Sequence, residues 1–137
     1  MNRRAVIIGI GAAIAVAACA AQGTKYAPAD APSHDAIIYV YRPYSYFGSA
    51  IDPVVTCGNE SSAIKPGAYH AFIVHPGPVT CTVGAETTDL LDIDAESRSY
   101  YVRERISLGA LLGHPQLDPQ DTDEAKTEIQ ACCVQQP

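Results

Sequence analysis

The sequence predicts a mainly β protein, a small antiparallel β-sandwich of the immunoglobulin or prealbumin type with one short C-terminal α-helix. Two patterns indicate this fold. Between residues 36 and 106, short runs of β-branched, aromatic and alternating residues are separated by Gly and Pro turn signals. Such turns at intervals of roughly 8–12 residues are typical of sandwiches and small barrels. After residue 121 the apolar period changes to that of a helix.

The first strand is predicted over residues 36–42, which read AIIYVYR and are followed by Pro43. Both faces of this run are apolar, which indicates a central strand. Further strands are predicted over residues 53–57, 61–65, 69–75, 79–86, 90–95 and 99–106.

The helix is predicted over about residues 122–132, with Asp121 as its N-cap. Ala125 and Ile129 fall on one helical stripe, which would dock on the sheet. Residues 108–119 contain two prolines and are predicted to form an irregular connection.

The N-terminus has the pattern of a bacterial lipoprotein signal. A basic start is followed by fourteen apolar or small residues, 5–18, and then by Cys19. A membrane-spanning helix needs about 20 apolar residues, so this run is too short and indicates a cleaved segment. We expect residues 1–18 to be a signal peptide and Cys19 to accept the lipid. The alternative is an ordinary secretory signal cut elsewhere, which would leave Cys19 as a stray thiol.

The residue after Cys19 indicates whether the protein is held in the inner or the outer membrane. An Asp at this position would favour retention in the inner membrane, by resemblance to the sorting rule of Gram-negative bacteria, but the chain has Ala20. We therefore expect a lipid anchor in the outer membrane, on its periplasmic side. Residues 19–35 are predicted to be the lipidated cysteine and a flexible tether, and residues 36–137 the folded domain.

The charge excludes one class of partner. Without Arg3 and Arg4, the mature chain of 119 residues has seven Lys and Arg against fifteen Asp and Glu, a net charge of −8. Nucleic-acid binding needs clustered cations, so no nucleic-acid partner is expected. The lipid, rather than charge, must attach the protein to the membrane.

Four cysteines remain in the mature chain, and an exported domain is expected to form disulfides. We expect Cys57 to pair with Cys81, because both lie in or beside predicted strands. The alternative joins one of them to the C-terminal pair. A bond between Cys132 and Cys133 is discounted, since it would need a strained ring of adjacent residues.

Several short motifs occur in an order that resembles the bacterial envelope lipoproteins grouped as domain of unknown function 2846. They are IIYVYRP at 37–43, KPGAY at 65–69, VHPG at 74–77, YYVR at 100–103 and a closing Glu-Ile at 128–129. The resemblance covers roughly residues 36–131. It implies a β-rich lipoprotein domain without an established activity. The family usually has an acidic residue where this chain has Cys57, a departure that favours a local disulfide.

Two arginines are the first candidates for binding. Arg42 and Arg103 each follow an aromatic strand run, and pairing of the two strands would bring them to one surface. The functional hypothesis is an anion- or glycan-binding site of five side chains, Arg42, Arg103, Tyr41, Tyr101 and Arg105. The structural alternative is a salt bridge to Glu104 or Glu128 that holds the helix on the sheet.

The loop that follows the first strand is the second candidate. It contains Tyr44, Tyr46 and Phe47 close behind Tyr41. Exposed aromatic residues, Tyr above all, are typical of interaction surfaces. The alternative is that these side chains fold over the edge of the sandwich.

No residue pattern indicates catalysis, a metal or a cofactor. His70 and His75 are five residues apart in one predicted strand and would point to opposite faces, which does not suit a zinc site. We expect a non-enzymatic binding or accessory module, anchored to the membrane by its lipid and acting on an envelope protein. The alternative is a small domain that binds a glycan or an anion, or that inhibits a hydrolase.

Overall fold

The structure is a computed structural model that describes residues 23–29, 31, 33–111 and 113–136. The predicted signal peptide and Cys19 lie outside these residues. The described elements are β1 (Thr24–Lys25), β2 (Ala36–Arg42), β3 (Val54–Cys57), β4 (Glu60–Ala63), β5 (Ala68–Val74), β6 (Gly77–Gly84), β7 (Thr88–Ala95), β8 (Ser99–Ser107), β9 (His114–Pro119), α1 (Thr122–Cys132) and β10 (Val134–Gln135). None of the helical segments within this part of the chain has the length and apolar character that a membrane crossing requires.

The strands form two sheets, which confirms the predicted small β-sandwich with one C-terminal helix. The larger sheet has the order β1-β10-β5-β2-β8-β9, and the smaller one β4-β3-β6-β7. Most neighbours are antiparallel, but β2 pairs in parallel with β8, and β5 with β10. Parallel neighbours need a long connection, and the chain builds the whole smaller sheet between β2 and β8.

The strand β2 lies at the centre of the larger sheet and is buried along its whole length. Its side chains alternate between two apolar layers, as the period of a strand requires. Ile38 and Val40 face the smaller sheet and pack in the core between the sheets. Ile37 and Tyr39 face the other way, into a layer covered by α1. The prediction of a central strand with two apolar faces is therefore confirmed.

The helix α1 covers the outer face of the larger sheet. It begins after Asp121, whose carboxylate accepts hydrogen bonds from the N–H groups of Asp123 and Glu124. Its apolar stripe, Ala125 and Ile129, is fully buried against the sheet. The predicted bounds and N-cap agree with the structure.

The predicted tether is wrong in part, because the fold begins well before residue 36. Thr24–Lys25 pairs with β10, and Tyr26 is buried in the layer beneath α1. The N–H of Ala29 donates to the hydroxyl of Tyr39 at 2.7 Å. Residues 24–29 lack apolar periodicity, but one aromatic ring and a two-residue strand suffice to fix them when the partners come from distant parts of the chain.

The strand β9 replaces the irregular connection predicted at residues 108–119. Its prolines, Pro115 and Pro119, stand opposite Ile106 and Val102 of β8. The N–H of Gln120 donates to the carbonyl of Tyr101. The odd-numbered residues of β8 therefore make the hydrogen bonds to β9, and both prolines occupy positions that need no N–H. An edge strand such as β9 tolerates proline for this reason.

The cysteines form two bonds. Cys57 and Cys81 face each other in the register of β3 and β6, and they are joined with a Cα–Cα distance of 4.2 Å. Cys132 and Cys133, a pair discounted from the sequence, are also joined, with a Cα–Cα distance of 3.7 Å. The change from helix at Cys132 to extended backbone at Cys133 accommodates this bond between neighbours.

Candidate functional site

Strand alternation divides the predicted binding residues between two layers. Tyr41 and Arg103 are paired in the register of β2 and β8, and their side chains face α1. The next residues, Arg42 and Glu104, face the space between the sheets, because successive side chains of a strand point to opposite faces. The five side chains of the functional hypothesis therefore do not form one surface.

Tyr41 and Arg103 both bind the same carboxylate on α1. The hydroxyl of Tyr41 donates to Oε2 of Glu128 at 2.8 Å, and the Arg103 guanidinium lies 3.2 Å from Oε1 of Glu128. Burial, followed by the Glu128 carboxylate, raises the pKa of Tyr41 well above its usual value. For Arg103 this is the structural alternative, a salt bridge that holds the helix on the sheet. The prediction of Tyr41 as an accessible binding residue is wrong, because α1 covers it.

Tyr101 is also removed from the predicted binding surface. Its hydroxyl is 2.7 Å from that of Tyr26, and its ring stacks on Tyr39 with centroids 5.1 Å apart. Burial raises its pKa. Tyr101 therefore belongs to a tyrosine cluster under α1, with Tyr26, Tyr39 and Tyr69. The sequence predicted the strand and a helix docked on the sheet, but it did not indicate which face of the strand the helix covers.

Arg42 is buried, and its guanidinium binds backbone carbonyls of the residues that follow it in the chain; we call this set of contacts the Arg42 clamp. Its guanidinium donates to the carbonyl oxygens of Gly48 at 2.6 Å, Ile51 at 2.9 Å and Ile64 at 3.0 Å. Asp52 lies 3.8 Å away. The fixed fork of donors on an arginine suits such a set of carbonyls. Gly48 and Ile51 belong to the loop between β2 and β3 and Ile64 follows β4, so the guanidinium joins this loop to the chain after β4.

That loop presents its aromatic side chains to solvent. Tyr44, Tyr46 and Phe47 are 67%, 82% and 56% exposed. The rings of Tyr46 and Phe47 meet edge to face at 5.9 Å. We refer to residues 44–47 as the aromatic loop. The exposure of these rings agrees with the predicted interaction surface and not with packing over the sandwich edge.

A second loop with exposed apolar residues lies beside the aromatic loop. Leu108 and Leu111 are 74% and 89% exposed, and Glu86 accepts hydrogen bonds from the N–H of Leu111 at 3.1 Å and that of Gly113 at 3.2 Å. The side chain of Ile106 lies close to the backbone of both segments. A Cβ atom added to Gly48, just after the aromatic loop, or to Gly113, in the second loop, would lie within 2.7 Å of it. The leucines were not singled out from the sequence, because isolated apolar residues in a loop carry no periodic signal.

A pocket of about 130 Å³ opens between the aromatic loop and β8. Its lining consists of Arg42, Pro43, Tyr44, Ser45, Phe47, Arg103, Glu104, Arg105 and Ile106. Five of the predicted binding residues thus contribute to this lining, namely Arg42, Tyr44, Phe47, Arg103 and Arg105. Glu104 was considered in the sequence only as a salt-bridge partner.

Glu104 is the most unusual group of this pocket. Its side chain is 1% exposed, and neither carboxyl oxygen has a hydrogen-bond partner in the described structure. Burial raises the pKa of Glu104 to about 8, against the opposing effect of Arg42 and with a further rise from Asp52. At neutral pH the carboxyl is therefore mainly protonated, so it is a hydrogen-bond donor as well as an acceptor.

The residues that could bind a metal ion are dispersed over the described part of the chain. No group of three or more His, Cys, Asp or Glu residues that could hold a metal ion occurs among the described residues. His70 contacts Glu60, and His75 contacts Asp35. These are separate pairs on the surface, and neither forms part of the pocket.

Comparison with known proteins identifies no relative of this chain. No protein-family model, no curated protein and no solved structure matches the chain.

Proposed function

We propose that the protein is a non-catalytic binding module of the cell envelope, anchored through a lipid on Cys19. Its partner is an envelope protein, and its recognition surface is formed by the aromatic loop with Leu108 and Leu111. The lipid anchor and the periplasmic face of the outer membrane follow from the predicted signal peptide, as an expectation of the sequence.

One observation carries this proposal. Three aromatic side chains are more than half exposed on a loop whose backbone is fixed by a buried arginine. Tyrosine and phenylalanine are enriched in protein interfaces. Fixing them before binding lowers the entropy lost on association, which favours affinity. The neighbouring leucines enlarge the apolar area at the same end of the sandwich.

Site-specific photo-crosslinking in intact cells tests the proposal. A photoreactive residue at Phe47 or Leu111 should give one defined crosslinked protein, and Tyr44→Ala with Tyr46→Ala should remove it. The matched control is Leu90, which is 61% exposed on β7 in the other sheet and should give no such product. The same crosslink from Leu90, or none from either loop, would contradict the proposed surface. Cys19→Ala should abolish the product if anchoring is needed to meet the partner.

A further inference from the structure

The part of the chain that the structure describes buries two charged side chains, Arg42 and Glu104. The pairing of β2 with β8 stops at Tyr41 and Arg103, so Arg42 and Glu104 come next, side by side at the end of the ladder. Tyr41 and Arg103 face α1, and the next residue of each strand therefore faces the space between the sheets. Neighbouring strands are about 4.8 Å apart, which places the two side chains within reach of each other.

These two neighbours are not bonded to each other. The guanidinium of Arg42 donates to the three backbone carbonyls of the Arg42 clamp. Neither carboxyl oxygen of Glu104 has a hydrogen-bond partner among the described residues, and the residue opposite Glu104 on β9 is the apolar Leu117. Because an unbonded carboxylate is costly to bury, the carboxyl is stable in this position only while it keeps its proton.

A carboxylate at Glu104 would compete with the clamp for the same guanidinium. A guanidinium binds a carboxylate more strongly than a carbonyl, because both partners then carry a charge and the core has a low dielectric constant. Gly48 and Ile51 are partly exposed, so water can bind their carbonyls, whereas Ile64 is fully buried. The bonds to Gly48 and Ile51 are therefore the ones that Arg42 would exchange for the carboxylate.

We propose that Glu104 and Arg42 form a pH-sensitive switch that holds or releases the aromatic loop. While the carboxyl is protonated, Arg42 holds the chain that follows this loop through Gly48 and Ile51. When the proton is lost to solvent, the guanidinium turns to the carboxylate and the loop is released. The inference deepens the proposed function by giving its recognition surface a regulation, and it rests on that function only for what the loop binds.

The charges around Glu104 set the pH at which the switch acts. The nearby charged groups are Arg42 on β2, Asp52 in the loop before β3, Asp89 on β7, which accepts the N–H of Leu117, and Arg103 and Arg105 on β8, which face away and bind Glu128 and Asp118. Burial has the largest effect and raises the pKa of Glu104 to about 8, although Arg42 opposes it. The ionised fraction therefore rises from about 3% at pH 6.5 to about 90% at pH 9.

Digestion of the purified protein with chymotrypsin tests the switch, because this protease cuts after Tyr and Phe and the loop contains Tyr44, Tyr46 and Phe47. Mass spectrometry counts the cuts at these residues in the wild type and in Glu104→Gln, which cannot ionise. The ratio of the two rates cancels the pH dependence of the protease. Proteolysis follows the population of the open form, so this ratio should rise about tenfold or more from pH 6.5 to pH 9. An unchanged ratio would refute the switch.

Two control variants separate the switch from other effects of pH. Arg42→Lys loses the fork of donors, so its loop should be cut rapidly at both pH values. Resistance of this variant at pH 6.5 would show that the clamp does not hold the loop. Asp92→Asn, at an exposed acid on β7 in the other sheet, should keep the pH dependence of the wild type. Loss of that dependence would assign the effect to surface charge and overturn the proposal, as would cuts in the strands at pH 9.

The wild type alone gives a second test, which does not depend on how Glu104→Gln folds. Nuclear magnetic resonance follows the carboxyl carbon of Glu104 and the methyl groups of Ile51, and both should change with one midpoint near pH 8. Different midpoints would contradict the switch. Neither experiment involves a partner, so a failure of the switch leaves the proposed surface intact, and a missing crosslink leaves the switch intact.

Discussion

The hydroxyl groups of Tyr26 and Tyr101 are 2.7 Å apart beneath α1, although 75 residues separate them in the chain. The contact joins the N-terminal segment to the central sheet, and the ring of Tyr26 meets those of Tyr39 and Tyr69 edge to face. A segment without strand or helix periodicity is thus part of the core.

The first prediction concerns this contact. Tyr26→Ala should lower the free energy of unfolding by about 3 kcal/mol or more, since it removes a buried aromatic ring. Tyr26→Phe should cost about 1–2 kcal/mol, because the Tyr101 hydroxyl is left without its partner. Urea denaturation measures both. Tyr46→Ala, at an exposed aromatic residue, should stay within about 0.5 kcal/mol of the wild type. If Tyr26→Ala were equally mild, residues 24–29 would be a tether after all.

The second prediction concerns pH. The pKa of Glu104 rises from 4.5 to about 8 on folding, so the native state keeps a proton that the unfolded chain releases. The contribution of Glu104 to stability is therefore full below about pH 4.5 and is lost as pH rises to about 8. Relative to Glu104→Gln, the wild type should lose stability over this window, by up to about 1.4 kcal/mol per pH unit and on the order of a few kcal/mol in total.

Urea denaturation of both proteins between pH 4.5 and pH 8 measures this difference. Added salt serves as the control, because it screens surface charges and affects a buried group much less. A difference between the two proteins that stays constant with pH would show that Glu104 is ionised in the folded state.

The third prediction concerns the Arg42 clamp. Arg42→Lys keeps the charge but cannot hold three carbonyls in one plane, so the loop after β2 should loosen. The amides of Ser49 and Ile51, which donate to the carbonyls of Tyr46 and Gly48, should exchange with solvent faster. Hydrogen exchange measures this. Arg98→Lys, at an exposed site in the turn just before β8, is the control. Unchanged exchange in Arg42→Lys would mean that other contacts fix the loop.

The fourth prediction contrasts the two disulfides. Replacing Cys57 and Cys81 with alanine should cost about 3 kcal/mol, because their bond closes a loop in the unfolded chain across a sequence separation of 24. Replacing Cys132 and Cys133 should cost only about 1 kcal/mol, the usual effect of a substitution, since a bond between neighbouring residues closes no loop in the unfolded chain. Urea denaturation of the two double variants measures the difference. Equal losses would mean that the effect of the first bond is not one of chain entropy.

The elements that could be predicted from sequence are those with a local signal. β2 has two apolar faces, and α1 has an N-cap and a helical stripe, so both were predicted with their bounds. β1 and β10 were missed because each depends on a partner remote in sequence, as when Thr24 pairs with Gln135. β9 pairs with the preceding strand, and it was missed because Pro115 and Pro119 were interpreted as breakers.

The candidate site was predicted only in part, for a related reason. Periodicity assigns Tyr41 and Arg42 to opposite faces of a strand, but it does not say what covers each face. The helix buries the tyrosine, and the loop that Arg42 binds forms the roof of the pocket. The sequence left open whether the rings of the aromatic loop are exposed or folded over the edge of the sandwich, because a loop has no periodicity that assigns its side chains to a face. The structure has them exposed.

The early start of the fold changes how the protein would sit on a membrane. With Thr24 already in the sheet, residues 20–23 alone separate the domain from Cys19. Four extended residues reach about 14 Å at most. If Cys19 carries the lipid, as the sequence predicts, the domain rests against the bilayer with little freedom to tumble. A partner would then have to approach within the same shallow layer above the headgroups, which favours one that is itself held at the membrane.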